Sequence, residues 1–310
     1  MITIEGSNVM TKSLVPKGII PAMVTPFTDD DKVNVKSLRK LTSYLIEGGV
    51  HGLFAVGSQG EFWAMDIAEK QQVIETVVEE TRGRVPVYAG TGAVTTRENV
   101  ALARMAEKAG ADALSVITPY FISPNQKEMI EFYTAVAESV NIPVLLYNNP
   151  GRTGVKINVE TVVKLAEVPN IIGIKDSSGD LELASEYLRA TGQGFYVLMG
   201  RDTLIYGALL YGAAGSIAAS ANVKPSLVAE IYDAFVAGDL KRSLAAQYAL
   251  APLRIGFALG TFPGVIKEAM NLIGMEVGRS RSPVGSLAPD KLKQLNDILV
   301  GMGMKTNYKG

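Results

Sequence analysis

Short apolar runs recur along the chain, each followed by a longer amphipathic stretch. Eight runs rich in Val, Ile, Leu and Ala predict strands: Ile19 to Thr25, Gly52 to Ala55, Pro86 to Ala89, Ala113 to Ile117, Pro143 to Tyr147, Ile171 to Lys175, Phe195 to Met199 and Gly215 to Ala218. Their starts lie about 20 to 35 residues apart, room for one strand, one helix and two loops. The segments between them have helical periodicity. From Asp66 to Thr81, the residues Ile67, Ile74, Val77 and Val78 fall largely on one face, Glu69, Lys70, Glu79 and Glu80 fall elsewhere, and Asp66 suits the N-cap. Thr95 to Ala109 repeats the design, with Thr95 or Thr96 as cap, Val100, Leu102 and Met105 inward, and Gly110 as the stop. Apolar strands alternating with amphipathic helices indicate an α/β fold with a parallel sheet covered by helices. Eight units within about 220 residues fit a closed (β/α)8 TIM barrel better than an open doubly wound sheet. From about Ala237 the stretches Leu240 to Gly256, Val265 to Gly274 and Pro289 to Gly301 read as further helices. The expected division is an N-terminal extension over 1–17, the barrel over 18–236 and a C-terminal helical layer over 237–310.

Composition narrows the chemistry. The 310 residues contain no cysteine and one histidine, His51, which excludes thiolate nucleophiles, disulfides and multi-histidine metal centres. His51 is expected to be structural or on the surface. Lys plus Arg (30) against Asp plus Glu (31) leaves a formal charge of −1, without the basic excess that grips nucleic acid. No stretch of about 18 apolar residues predicts a membrane span, and Met1 to Lys17 lacks the apolar run of a secretory signal, so a soluble, cytoplasmic protein is expected. Gly90-Thr91-Gly92 opens like a dinucleotide loop, but Thr95 stands where the third glycine belongs, and no cofactor is expected.

In such a barrel the reacting groups come from the C-terminal ends of the strands. Lys175 ends the apolar run Ile171-Ile172-Gly173-Ile174, which would aim its amine at the barrel mouth. Desolvation there disfavours the ammonium and makes lysine a nucleophile able to form a Schiff base with a ketone. The competing reading is a surface lysine paired with Asp176. Tyr147 ends the neighbouring strand, where its phenol could shuttle protons beside Lys175, or simply close a packing layer. The turn Gly57-Ser58-Gln59-Gly60 could gather backbone N–H groups around a small carboxylate, or could be a tight turn needing positive φ; both can hold together.

Four segments together resemble the dihydrodipicolinate synthase and N-acetylneuraminate lyase family of class I pyruvate aldolases. They are Pro21-Ala22-Met23-Val24-Thr25-Pro26-Phe27, Gly57-Ser58-Gln59-Gly60-Glu61, Tyr147-Asn148-Asn149-Pro150-Gly151-Arg152-Thr153-Gly154 and Gly173-Ile174-Lys175-Asp176, and the likeness runs from about Gly18 to Gly301. The resemblance implies a barrel with a C-terminal helical layer, usually a homotetramer, without metal or organic cofactor. It implies that Lys175 forms an imine with pyruvate, Tyr147 transfers protons, and Ser58 stands beside a carboxylate-binding turn built from Gly57, Gln59 and Gly60. Arg152 matches the arginine that binds the second carboxylate of the acceptor aldehyde, aspartate semialdehyde in the synthases.

The match is incomplete at two places. Synthases of the family usually carry two threonines where this chain has Ser58 and Gln59, and a second tyrosine where it has Phe121, with Tyr120 one residue earlier. Lys175-Asp176-Ser177-Ser178 looks more like aldolases of 2-keto-3-deoxy sugar acids or 4-hydroxy-2-oxoglutarate. The expected activity is therefore a pyruvate-dependent Schiff-base lyase, dihydrodipicolinate synthase-like, with those aldolases as the alternative. A catalytically silent keto-acid-binding barrel is the reading from another class.

Overall fold

The computed structural model describes residues 14–309. Of the expected N-terminal extension, 1–13 lie outside the described residues and 14–17 lead without regular structure into the first strand. The strands are β1 (Gly18–Pro21), β2 (Leu53–Ala55), β3 (Val87–Gly90), β4 (Ala113–Ile117), β5 (Val144–Asn148), β6 (Ile171–Asp176), β7 (Tyr196–Met199) and β8 (Gly215–Ala218). All pairings are parallel, in the order β1-β8-β7-β6-β5-β4-β3-β2. The ring closes where the His51 N–H donates to Ile19 O at 2.8 Å and the Met23 N–H donates to Phe54 O at 2.9 Å. Each predicted strand is present; β1 stops at Pro21 because the chain leaves the ladder for an isolated bridge from Ala22 to Phe54.

Helices follow the strands: α1 (Val35–Glu47), α2 (Ile67–Thr81), α3 (Thr96–Lys108), α4 (Gln126–Glu138), the single turn α5 (Pro150–Thr153), α6 (Val159–Leu165), α7 (Leu181–Thr191), α8 (Ile205–Leu210) and α9 (Pro225–Val236). The last three, α10 (Leu240–Gly256), α11 (Gly264–Leu272) and α12 (Pro289–Gly301), carry the C-terminal layer. No single helix among the described residues is long and apolar enough to cross a membrane. Asp66 caps α2 in a reciprocal box with Glu69, and Thr95 caps α3 through the Glu98 N–H. Two helix faces differ from the sequence pattern. In α2, Ile67 is exposed at the first turn while Lys70 is buried, and in α3 the core face is Leu102, Ala103 and Ala106, with Val100 and Met105 only half-buried. The 3.6-residue period set the face to within a turn but left its edges open.

Period-two alternation sorts the strand residues into two cores. Ile20, Ala22, Phe54, Tyr88, Ala113, Leu145, Leu198 and Ile217 fill the barrel interior, whereas residues such as Ile19, Leu53, Leu114, Leu146 and Ile174 pack against the helices. His51 sits at the opposite end from the strand C-termini. Its Nδ1 accepts the Ile19 N–H at 3.1 Å and its Nε2 lies 3.0 Å from Asp233 Oδ1, which bolts β1 to α9. The structural role expected for this imidazole is what the fold displays.

A buried ion pair fastens the C-terminal layer to the barrel. Glu61, at φ +60°, ends the turn after β2; its Oε1 is 2.6 Å from Lys267 Nζ on α11, and its Oε2 accepts the Arg281 N–H at 2.9 Å. Lys267 also donates to Arg279 O at 3.0 Å and lies 4.1 Å from the centroid of the Phe27 ring. Burial pushes the Lys267 pKa down to about 8 despite the pull of Glu61. Removing one partner strands a buried charge, so Lys267→Met is expected to cost about 3 kcal/mol or more in urea unfolding, and the double variant Glu61→Gln/Lys267→Met should recover part of that loss. Equal losses in the single and double variants would refute the pairing as the cause.

Candidate active site

The in-register pairing of β5 with β6 sets Tyr147 opposite Lys175. Leu145 points into the barrel, so Tyr147, two residues on, shares that face; on β6, Lys175 follows Gly173 in the same way. Both side chains are buried, with only 4% of each exposed. Lys175 Nζ stands 4.0 Å from the centroid of the Tyr147 ring and 4.8 Å from that of Phe54. The reading that pairs Lys175 with Asp176 fails: the adjacent residue faces the other way, and its carboxylate accepts from Asn148 Nδ2 and Ser178 Oγ, each at 2.7 Å. Burial raises the Asp176 pKa, and these donors pull against the shift.

Tyr147 has an unusual balance. Burial alone drives a phenol upward, but the Lys175 charge, with the polar groups of Ser58, Asn149 and Ser177, outweighs it and brings the phenol below its ordinary value. Only the Asn149 amide is at full hydrogen-bond distance, donating to the phenol oxygen at 3.0 Å. The buried Ser58 Oγ has no partner of its own among the described residues, nor has Gln59 Oε1. Gln59 Nε2 donates weakly to Pro263 O at 3.4 Å, which ties the turn to the start of α11.

Lys175, Tyr147, Ser58, Gln59 and Arg152 all line one cavity of about 330 Å³ at the C-terminal end of the barrel. Gly57 and Gly60 do not. They shape the turn instead: a Cβ on Gly57 would stand 2.4 Å from the Phe54 ring and one on Gly60 3.0 Å from Met23 O. The positive φ expected of this turn falls on Val56 (+57°) and Glu61 (+60°), not on its glycines, whose purpose is close approach. Arg152 lies in α5, exposed at the cavity wall, with its guanidinium 3.8 Å above the Phe262 ring. Tyr120 packs edge-on against Phe62 and is absent from the lining; Phe121 is 95% exposed at φ +73°.

Several lining residues escaped the sequence reading. Arg201 follows β7 by two residues, and the same strand-end rule that selected Lys175 would have found it. Arg254 and Phe257, at the end of α10, and Phe262 and Pro263 come from the C-terminal layer, and no local pattern announces that this layer closes the cavity.

With this geometry in place, the relatives of the chain can be compared. The family model for the dihydrodipicolinate synthetase family matches residues 15–301. This chain belongs to that family. The 4-hydroxy-tetrahydrodipicolinate synthase of Methanopyrus kandleri is 40% identical over 290 residues, covering 93% of this chain and 97% of the relative. That of Rhizobium meliloti is 42% identical over 292 residues, covering 93% and 99%. Among solved structures, the dihydrodipicolinate synthase of Aquifex aeolicus superposes with a TM-score of 0.91 at 33% identity, over 94% of this chain and all of that one. The chloride-inhibited enzyme of Acinetobacter baumannii, solved in complex with pyruvate, gives 0.90 at 36% identity over 93% and 99%. The dihydrodipicolinate synthetase fold thus extends over nearly the whole described chain.

The opposing pulls on Tyr147 make a testable sign. Lys175→Met removes the ammonium, leaving burial to dominate, so the phenol should titrate above its ordinary value of 10.0. Tyrosinate absorbance, read with Tyr147→Phe as the blank, measures it; a value at or below that of the native protein contradicts the account.

Proposed function

We propose that the protein is a pyruvate-dependent Schiff-base lyase of the dihydrodipicolinate synthase type, condensing pyruvate with an aldehyde such as aspartate semialdehyde or running the reverse cleavage. The observation that carries this reading is the buried amine of Lys175 held against the Tyr147 ring in a cavity with unspent polar groups. The amine attacks the keto carbon of pyruvate, the carbinolamine loses water, and the resulting cationic imine is an electron sink. A proton leaves the methyl group and the electron pair becomes an enamine, which attacks the acceptor carbonyl; hydrolysis then returns the free lysine. Tyr147, with a phenol below its ordinary pKa, is suited to carry protons to and from the carbinolamine and the new alkoxide. Ser58, Gln59 and the backbone of the Gly57-to-Gly60 turn would hold the pyruvate carboxylate, and Arg152 the carboxylate of the acceptor.

In this reading the barrel over 18–236 is the catalytic unit, and 237–310 is a layer completing its rim. A cytoplasmic homotetramer is the expected state, and the exposed Phe121 and half-exposed Ile122 beside the rim suit a contact with another copy. Cleavage of 2-keto-3-deoxy sugar acids or 4-hydroxy-2-oxoglutarate is the second reading. It is favoured by Gln59, whose carboxamide faces the cavity with a free oxygen and suits a hydroxylated chain.

Borohydride reduction in the presence of pyruvate, followed by intact-mass measurement and peptide mapping, should place a covalent adduct on Lys175. An unchanged mass would reject the reading, and an adduct without turnover of any aldehyde would leave a silent keto-acid binder. Tyr147→Phe should still be trapped but lose about 10²-fold or more in kcat. Arg152→Ala should impair reaction with aspartate semialdehyde far more than imine formation; equal loss in both assays would remove its role.

A further inference from the structure

The cavity contains more positive charge than a keto acid and one acceptor-binding arginine account for. Beside Lys175 and Arg152 it is lined by Arg201 and Arg254. None of these three arginines has a carboxylate partner among the described residues. The one acid in the lining, Asp202, is already committed: its carboxylate accepts the Ser220 N–H at 2.7 Å, the Ala219 N–H at 3.3 Å and the Ser220 hydroxyl.

How the guanidinium groups are held matters as much as their number. Arg152 lies over Phe262 at 3.8 Å and Arg254 over Phe257 at 5.3 Å from the ring centroids, so their planar faces rest on aromatic rings and their N–H edges remain available. Arg201 spends only Nε, donating to Ser177 O at 3.2 Å, which fixes its stem and leaves the terminal nitrogens. Desolvation by the cavity wall, with the neighbouring Arg201 and Arg254 charges, lowers the Arg152 pKa against the opposing pull of Tyr147. A preorganised fork of N–H donors in a partly desolvated site matches an oxyanion.

We propose that Arg152, Arg201 and Arg254 form one anion subsite for the far end of the acceptor, which is an aldehyde terminated by an oxyanion group, a carboxylate or a phosphate. This deepens the lyase reading and rests on it. Arg201 and Arg254 touch the part of the acceptor remote from the new bond, so they set specificity and make no contact with the reacting carbons.

The test uses pyruvate with three acceptors: glyceraldehyde, glyceraldehyde 3-phosphate and succinate semialdehyde. The native protein should prefer an anionic acceptor over glyceraldehyde, and the better of the two anionic ones identifies the terminal group. Arg201→Met and Arg254→Met should each lower kcat/KM for that acceptor about tenfold or more, mostly through KM, and leave glyceraldehyde and the borohydride-trapped pyruvate adduct unchanged. Arg201→Lys should recover part of the loss. Retention of the anionic preference in both methionine variants would overturn the subsite, as would an equal loss with glyceraldehyde. Failure of the native protein to form the adduct would overturn the lyase reading itself, a separate outcome.

Discussion

The site depends on a register. Tyr147 and Lys175 meet because β5 and β6 pair in parallel with those two residues opposite each other, so that alternation turns both side chains inward together. A slip of one residue would turn the amine outward among the helices and bring Asp176 inward. The irregularity in the ladder between Val144 and Leu145 lies at the far end of β5, leaving the end that carries Tyr147 regular. Gly173 supports the same alignment, because a Cβ there would stand 2.3 Å from Tyr196 O. Backbone geometry therefore sets the contact between the amine and the phenol before any ligand enters.

The second determinant is the layer after the barrel. It supplies Arg254, Phe257, Phe262 and Pro263 to the cavity wall, and through Lys267 and the Arg281 backbone it holds both carboxylate oxygens of Glu61. Glu61 lies two residues beyond Gln59, so the turn that carries Ser58 and Gln59 is pinned from the side opposite its strand. The Arg281 side chain extends this clamp to Glu69 and to the Ala64 carbonyl, and the Glu69 carboxyl is held below its usual range by that guanidinium. Barrel and layer thus share one site, although the first ends its strand and helix repeat before the second begins.

Much of this was legible in the residues. Short buried parallel strands read as continuous apolar runs, and so all eight were found, with the lysine and tyrosine at their ends marking the mouth. Helix faces were less well defined, since Ile67 and Lys70 exchange the roles that period alone gives them. What escaped was long-range: Glu61 meets Lys267 at a sequence separation of 206, and Arg254 reaches the mouth from a helix whose sequence contains no signal for it. The glycines of the β2 turn looked conformational and proved steric, because positive φ fell on Val56 and Glu61 while Phe54 and Met23 crowd the space where side chains would stand.

The placement of His51 has a consequence for where an imidazole can act in this protein. The sole imidazole is consumed at the floor of the barrel by Ile19 and Asp233, away from the mouth where the chemistry is proposed. Proton traffic in the proposed site is therefore left to groups other than an imidazole. A loss of rate on replacing His51 would then belong to the stability of the barrel floor and not to proton transfer at the mouth.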